Sequence, residues 1–186
     1  MYGMVNRAVE DMVRTHHGEA AWDRVKTAAG VDVEVFFSNE SYPDALTYRL
    51  VEAASAVLGL PAAGVLEAFG EHWVLHIASE GYGGLMKAAG RSLPEFLANL
   101  PNFHSRVAMM FPKLQPPRFR TSEVTANSLH LHYFTERPGL THFVIGLMQG
   151  LGKLYHTPAK VSLLEAKDAG ADHDIFLVAW EPPPAA

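Results

Sequence analysis

Tyr133, Thr135 and Arg137 alternate along the run Leu129-His130-Leu131-His132-Tyr133-Phe134-Thr135-Glu136-Arg137. The apolar/polar period of two predicts a strand. Side chains at i, i+2 and i+4 of a strand share one face. A phenol, a hydroxyl and a guanidinium would then point the same way. Arg presents a fork of donors suited to a carboxylate, and the hydroxyls add further hydrogen bonds. His104 lies about thirty residues upstream as a lone imidazole. An anion clamp beside a single imidazole suits haem, whose ring carries two propionates and whose iron takes an axial His.

The elements that must position these groups are legible from spacing. Met4, Val5, Ala8, Val9, Met12 and Val13 have helical periodicity over residues 1–15. Further helices are expected over 19–29, 44–59 and 61–81, the last broken by Gly81, Gly83 and Gly84. Residues 31–37 are expected to be extended or irregular, and 85–89 to add a turn or two. Ser92-Leu93-Pro94-Glu95 carries an N-cap, a proline just inside the helix and an acid in its first turn. Leu100-Pro101-Asn102 starts the helix that bears His104. The pattern changes at Pro112, and Pro116-Pro117 makes a rigid joint without backbone donors. Strands are expected over 118–124, 127–135, 160–167 and 174–181, with a helix over 141–155. The class is α+β: one domain over 1–186, with a mainly helical lobe (1–112), a sheet-and-helix lobe (113–181) and a frayed tail (182–186).

Composition narrows the function. The 186 residues are 48% hydrophobic, enough for a substantial core, and carry a formal charge of −5. No basic stripe marks a nucleic-acid surface. The absence of cysteine excludes thiolate-ligated haem, Cys-held iron–sulfur clusters and disulfides on this chain. No signal peptide or transmembrane run is evident, so a cytoplasmic location without membrane contact is expected.

The run Tyr133-Phe134-Thr135-Glu136-Arg137-Pro138-Gly139-Leu140 is similar to the Tyr-x-Ser-x-Arg-x-Gly-Leu mark of one family. Leu100-Pro101-Asn102-Phe103-His104, Gln115-Pro116-Pro117, Met1-Tyr2-Gly3 and Gly81-Tyr82-Gly83-Gly84-Leu85 match it in the same order. On these residues the chain resembles the H-NOX family, haem nitric oxide/oxygen-binding sensor domains related to the haem domain of soluble guanylate cyclase. The resemblance runs from Met1 to about Trp180. Thr135 departs from the usual Ser but keeps the hydroxyl and suits a strand.

The resemblance implies haem b between the two lobes, with His104 as axial ligand. Tyr133, Thr135 and Arg137 would hold the propionates, and Pro117 would press on the haem face. It places Val9, Trp73 and Phe143 on the distal side, with Val5 and Leu147 completing an apolar wall. Oxygen-binding members carry a Tyr donor at the position of Phe143. Its loss favours nitric oxide, with carbon monoxide also expected to bind. The implied output is release of His104, movement of its helix, and readout by a separate protein such as a histidine kinase or a cyclic-di-GMP enzyme. The domain itself is expected to have no catalysis.

Two rival classes remain at this level. An oxygen sensor or carrier would follow if Trp73 or His142 donated into the pocket. A haem-free module would use the Arg137 clamp for another anion. His72 and His76 at i and i+4 evoke a zinc pair, but Trp73 stands where the zinc-protease motif needs Glu. His130 and His132 are expected on the sheet surface.

Overall fold

The computed structural model describes residues 1–111 and 114–181. The proposed tail and the residue pair at the lobe boundary lie outside the described residues. The chain forms α1 (Gly3–His17), α2 (Glu19–Ala29), α3 (Asp44–Leu58), α4 (Ala62–His72), a π-helical turn (Trp73–Ala78), α5 (Ser79–Ala89), α6 (Leu93–Ala98) and α7 (Leu100–Met110). There follow β1 (Arg118–Ser122), β2 (Ser128–Phe134), α8 (Thr141–Leu154), β3 (Ala159–Glu165) and β4 (Asp174–Trp180). The strands make one antiparallel sheet in the order β1-β2-β4-β3. This is the expected α+β arrangement of helices on a four-stranded sheet. No single described helix is long and apolar enough to cross a membrane.

Local chemistry explains most element ends. Ser92 Oγ accepts from the Glu95 backbone N–H at 3.4 Å, and Glu95 accepts from the Arg91 N–H at 2.8 Å. Both side chains satisfy donors that a helix start leaves open. Gly139, at φ +71°, turns the chain between β2 and α8 in a conformation that L side chains rarely adopt.

Two apolar cores result. One gathers α1 to α4 around Trp22, Phe36, Leu50 and Phe69. The other joins the inner sheet face to α5, α6, α7 and α8 through Phe96, Leu97, Leu131, Met148 and Phe176. Trp73 and Phe143 lie where they meet. The change of secondary structure falls near residue 112, but the packing divides at Trp73. Residues 74–100 share the sheet's core although they are helical.

The helix expected over 61–81 differs in detail. It becomes π-helical from Trp73 to Ala78 and continues to Ala89, with a kink at Tyr82 (φ −133°, ψ 16°). Packing of Met86 and Ala89 into the sheet core carries the helix through glycines that would otherwise weaken it.

The two cores are joined by the crossing of α4 over α8. A Cβ on Gly70 would lie 2.2 Å from the Phe143 carbonyl oxygen, and one on Gly146 would lie 2.0 Å from that of Glu67. Backbone therefore meets backbone, with no side chain between. A Lys153–Glu71 ion pair (2.5 Å) and a His142–Glu67 hydrogen bond (2.7 Å) bridge the same two helices outside. The glycines of α8 thus serve close helix packing. Gly146→Ala is expected to lower stability by about 1–3 kcal/mol through overpacking. Urea unfolding of the two proteins checks this.

Candidate functional site

A mostly apolar cavity of about 270 Å³ opens between the cores. It is bounded by α1, α3, α4, α5, α7, α8 and the inner face of β1 and β2.

His104 projects into it from α7. Its Nδ1 lies 3.0 Å from the Leu100 carbonyl oxygen. A carbonyl only accepts, so Nδ1 carries the proton and Nε2 is left as a lone pair. Nε2 has no hydrogen-bond partner among the described residues. Burial pushes the imidazole below its ordinary pKa, against the opposing bond to Leu100. Phe119 packs against the ring at 5.0 Å and Phe103 at 5.5 Å. The site thus presents a neutral imidazole in one tautomer, held from behind by a carbonyl, the state that a metal-ligating His requires.

Tyr133, Thr135 and Arg137 all line the same cavity, but one continuous strand does not carry them. β2 ends at Phe134. Thr135 Oγ1 instead accepts the Arg137 backbone N–H at 3.1 Å, a local turn that brings the guanidinium back toward Tyr133. The single-face strand reading fails because the side chain of Thr135 competes with the ladder for the backbone. Burial raises the Tyr133 pKa, partly offset by the Thr135 hydroxyl, so the phenol stays protonated and able to donate.

Arg137 is engaged at the rim. Its Nε donates to Asp44 Oδ2 at 2.7 Å and its Nη1 to the Gln115 carbonyl at 2.8 Å. Asp44 also pairs with the N-terminal ammonium of Met1. Burial raises the Asp44 pKa, but the hydrogen bonds and charges of the N-terminus and Arg137 outweigh it and hold the carboxyl below the usual range. Asp44 was not recognised as a site residue from the sequence. An acid in the first turn of a helix reads as an ordinary partner of the helix dipole. Nothing local signals a contact spanning 93 residues.

On the other walls, Val5, Trp73, Phe143 and Leu147 line the cavity, as does Pro117. Val9 does not. It is fully buried one helical turn beyond Val5, inside the N-terminal core. Residues at i and i+4 share a helix face, but only Val5 lies level with the cavity. Phe69 braces the wall, 4.9 Å from Phe143 and 6.3 Å from Trp73. His142 is turned outward onto Glu67 and does not line the cavity.

The remaining histidines are placed elsewhere. His72 is buried, bonds Asp11 at 2.8 Å and stacks on His76 at 4.5 Å. Among the described residues no three His, Asp or Glu side chains converge to hold a metal ion. His130 is half-exposed, but His132, expected at the surface, is only 7% exposed. Ser122 covers it from β1 and His173 from the bend that precedes β4.

The donor set fits haem. One neutral imidazole lone pair belongs to a lining ring, the walls are mostly apolar, and a cation with two hydroxyls lines the same cavity. Comparison with known proteins agrees. The family model described as Haem-NO-binding matches residues 2–163. Soluble guanylate cyclases gcy-31 and gcy-32 of Caenorhabditis elegans are 28% and 31% identical over 95% and 82% of this chain. The chain spans about a quarter of the length of these relatives (25% and 23%). The unliganded Fe(II) H-NOX protein of K. algicida superposes with a TM-score of 0.86 at 25% identity, covering 100% of both chains. An S. oneidensis H-NOX protein in its Fe(II)NO state gives 0.86 at 20% identity, over 97% of this chain and 99% of that one. An oxygen-binding H-NOX domain in its oxygen complex gives 0.80 at 19%, over 100% and 98%. The chain, with its cavity between two cores, thus belongs to the haem-NO-binding (H-NOX) family of haem-binding gas-sensor domains.

Proposed function

We propose that this domain senses nitric oxide at ferrous haem b and signals by releasing His104. The observation that carries the reading is the neutral, single-tautomer imidazole of His104 lining an apolar cavity whose rim is held by Arg137. Bound haem supplies a ferrous iron with one open position for a diatomic gas. His104 Nε2 would be its axial ligand, with the Leu100 carbonyl holding the ring in orientation. Tyr133, Thr135 and Arg137 would receive the propionates. Nε and Nη1 of Arg137 hold Asp44 and Gln115, and Nη2 has no hydrogen-bond partner among the described residues. Pro117, fixed in φ, would press on the porphyrin face from the His104 side.

Val5, Trp73, Phe143 and Leu147 shape the distal wall. Phe143 has no donor, and His142 lies outside the cavity. A polar oxygen adduct gains from a donated hydrogen bond, whereas nitric oxide does not need one, so a wall of these four residues whose one N–H is the Trp73 indole favours nitric oxide; carbon monoxide should also bind. With haem held by His104, loss of that bond would free α7 to relax. α7 carries only Leu100 as a fully buried residue, so its outer turns have little to hold them. A separate signalling protein, such as a histidine kinase or a cyclic-di-GMP enzyme, would read that movement.

Absorption spectra of the dithionite-reduced protein test the reading. We expect a histidine-ligated ferrous spectrum that shifts with nitric oxide to a form lacking the histidine ligand, and no stable complex in air. His104→Gly should abolish the ferrous histidine signature, with added imidazole restoring it. An unchanged spectrum in that variant would exclude His104. Phe143→Tyr should create a complex that persists in air; loss of haem without that complex would show that a different wall sets selectivity.

The haem-free chain has a linked pH dependence. An unfolded imidazole titrates near 6.5, and the fold holds His104 lower. Between those values the unfolded chain binds more protons. Stability should therefore be full above 6.5 and fall as pH drops through that range. His72 and His132 are lowered too, so His104→Leu should remove only part of the slope. Urea midpoints across pH 5 to 8 measure it, on the scale where imidazole titrates.

A further inference from the structure

The outer face of the sheet, away from the haem cavity, carries a row of four polar side chains. Ser122 Oγ lies 2.7 Å from His132 Nε2. His132 Nδ1 lies 2.8 Å from His173 Nε2, and His173 Nδ1 lies 3.1 Å from Asp172 Oδ2. None of the four lines the cavity. Register explains the meeting: Arg120 pairs with His132 and Ser122 with His130, so Ser122 reaches His132 on the diagonal of one face.

The carboxylate sets the direction of the row. Asp172 only accepts, so His173 Nδ1 must carry its proton. With one proton on each ring, His173 accepts at Nε2 and His132 Nδ1–H donates to it. That leaves His132 Nε2 as an acceptor, and among the described residues it is the Ser122 hydroxyl that points its proton there. Hydroxyl, base and orienting group stand in the order by which an imidazole activates a serine. His132 is 7% exposed, and Phe134 stacks on His173 at 4.0 Å, so the rings are held in place. Arg120 stands two residues before Ser122 on the same strand face, about 7 Å along the strand. It has no ion-pair partner among the described residues.

We propose that Ser122 is a nucleophilic, acylatable serine, with His132 as its general base and His173 and Asp172 as positioning residues. Its substrate class is a small acyl donor with an anionic leaving group, such as an acyl phosphate. The open sheet face admits a small donor, and Arg120 supplies the positive charge that meets its anionic end. Ser122 Oγ bonds to the acyl carbon as the bond from that carbon to the leaving group breaks. His132 Nε2 takes the hydroxyl proton and passes it to the leaving group. An acyl-serine ester on β1 would be a modification site independent of gas binding.

Burial holds His132 below its ordinary pKa, helped by the charge of Arg120 and by His173 and His130, with Glu165 opposing. The base is therefore neutral at pH 7. If the histidine pair gains a proton, His132 Nε2 becomes a donor and the hydroxyl loses its acceptor. Reactivity should fall as pH drops below that titration.

The test treats the full-length, haem-loaded protein with a fluorophosphonate probe and locates the adduct by peptide mass spectrometry. Here the Ser122 Oγ–P bond forms and fluoride leaves. Labelling of Ser122 at neutral pH is expected, absent in Ser122→Ala and about a hundredfold slower in His132→Gln. Unaltered circular dichroism and haem absorbance show that both variants fold. His173→Phe, which keeps the stack on Phe134, should displace the midpoint of the pH–rate profile. Acetyl phosphate should then place an acetyl group on Ser122. No adduct at Ser122, equal rates in His132→Gln, or a pH profile unmoved by His173→Phe would overturn the assignment of nucleophile, base or positioning residue respectively. Failure of acetyl phosphate alone would overturn the donor class.

Discussion

Helices α4 and α8 touch backbone to backbone, and the cavity between the cores depends on that contact. Gly70 and Gly146 allow it because each stands where a Cβ would overlap a carbonyl of the opposite helix. The crossing joins a purely helical core to a core built on a sheet. It also sets Trp73 and Phe69 of one side against Phe143 and Leu147 of the other. The distal wall is thus the junction of two packing units. Displacement of one core relative to the other must alter the cavity, because no single element contains it.

The polar side of the site follows a different logic. His104 is supplied with one carbonyl acceptor and otherwise apolar neighbours, so it stays neutral and keeps one lone pair. Arg137 lies at the rim in a three-part charge cluster with Asp44 and the N-terminal ammonium. Through Asp44 that cluster ties the start of α1 and α3 to the turn after β2. A group that changes its hold on Arg137 therefore also acts on the N-terminal core. Cavity rim and inter-core linkage thus share one guanidinium.

Much of this was legible in the residues. Strand alternation located β1 to β4 to within about two residues, since an open antiparallel sheet buries every second side chain. The run from Tyr133 to Arg137 pointed to three residues that do line one cavity, although what brings them together is a side-chain turn and not a strand face. Val9 shows the reach of helical spacing. It belongs to the same apolar stripe as Val5, yet the stripe is longer than the cavity, and periodicity does not say where the cavity ends. His132 shows the converse. Alternation put it correctly on the outer face, but its cover comes from Ser122 and His173, ten and 41 residues away.

What the sequence determined by itself is local. Periodicity, caps and turn residues set the elements, and residue type set which groups can ligate, donate or exclude water. The absence of a hydroxyl at Phe143 and the imidazole at His104 are in that class. Tertiary structure alone decided the contacts between distant segments: the pairing of Asp44 with Arg137, the outward turn of His142 onto Glu67, and the row from Ser122 to Asp172. It also decided the π-helical turn beside Trp73 and the division of the cores there. These depend on where two surfaces meet, and a one-dimensional pattern holds the faces of an element but not the identity of what will cover them.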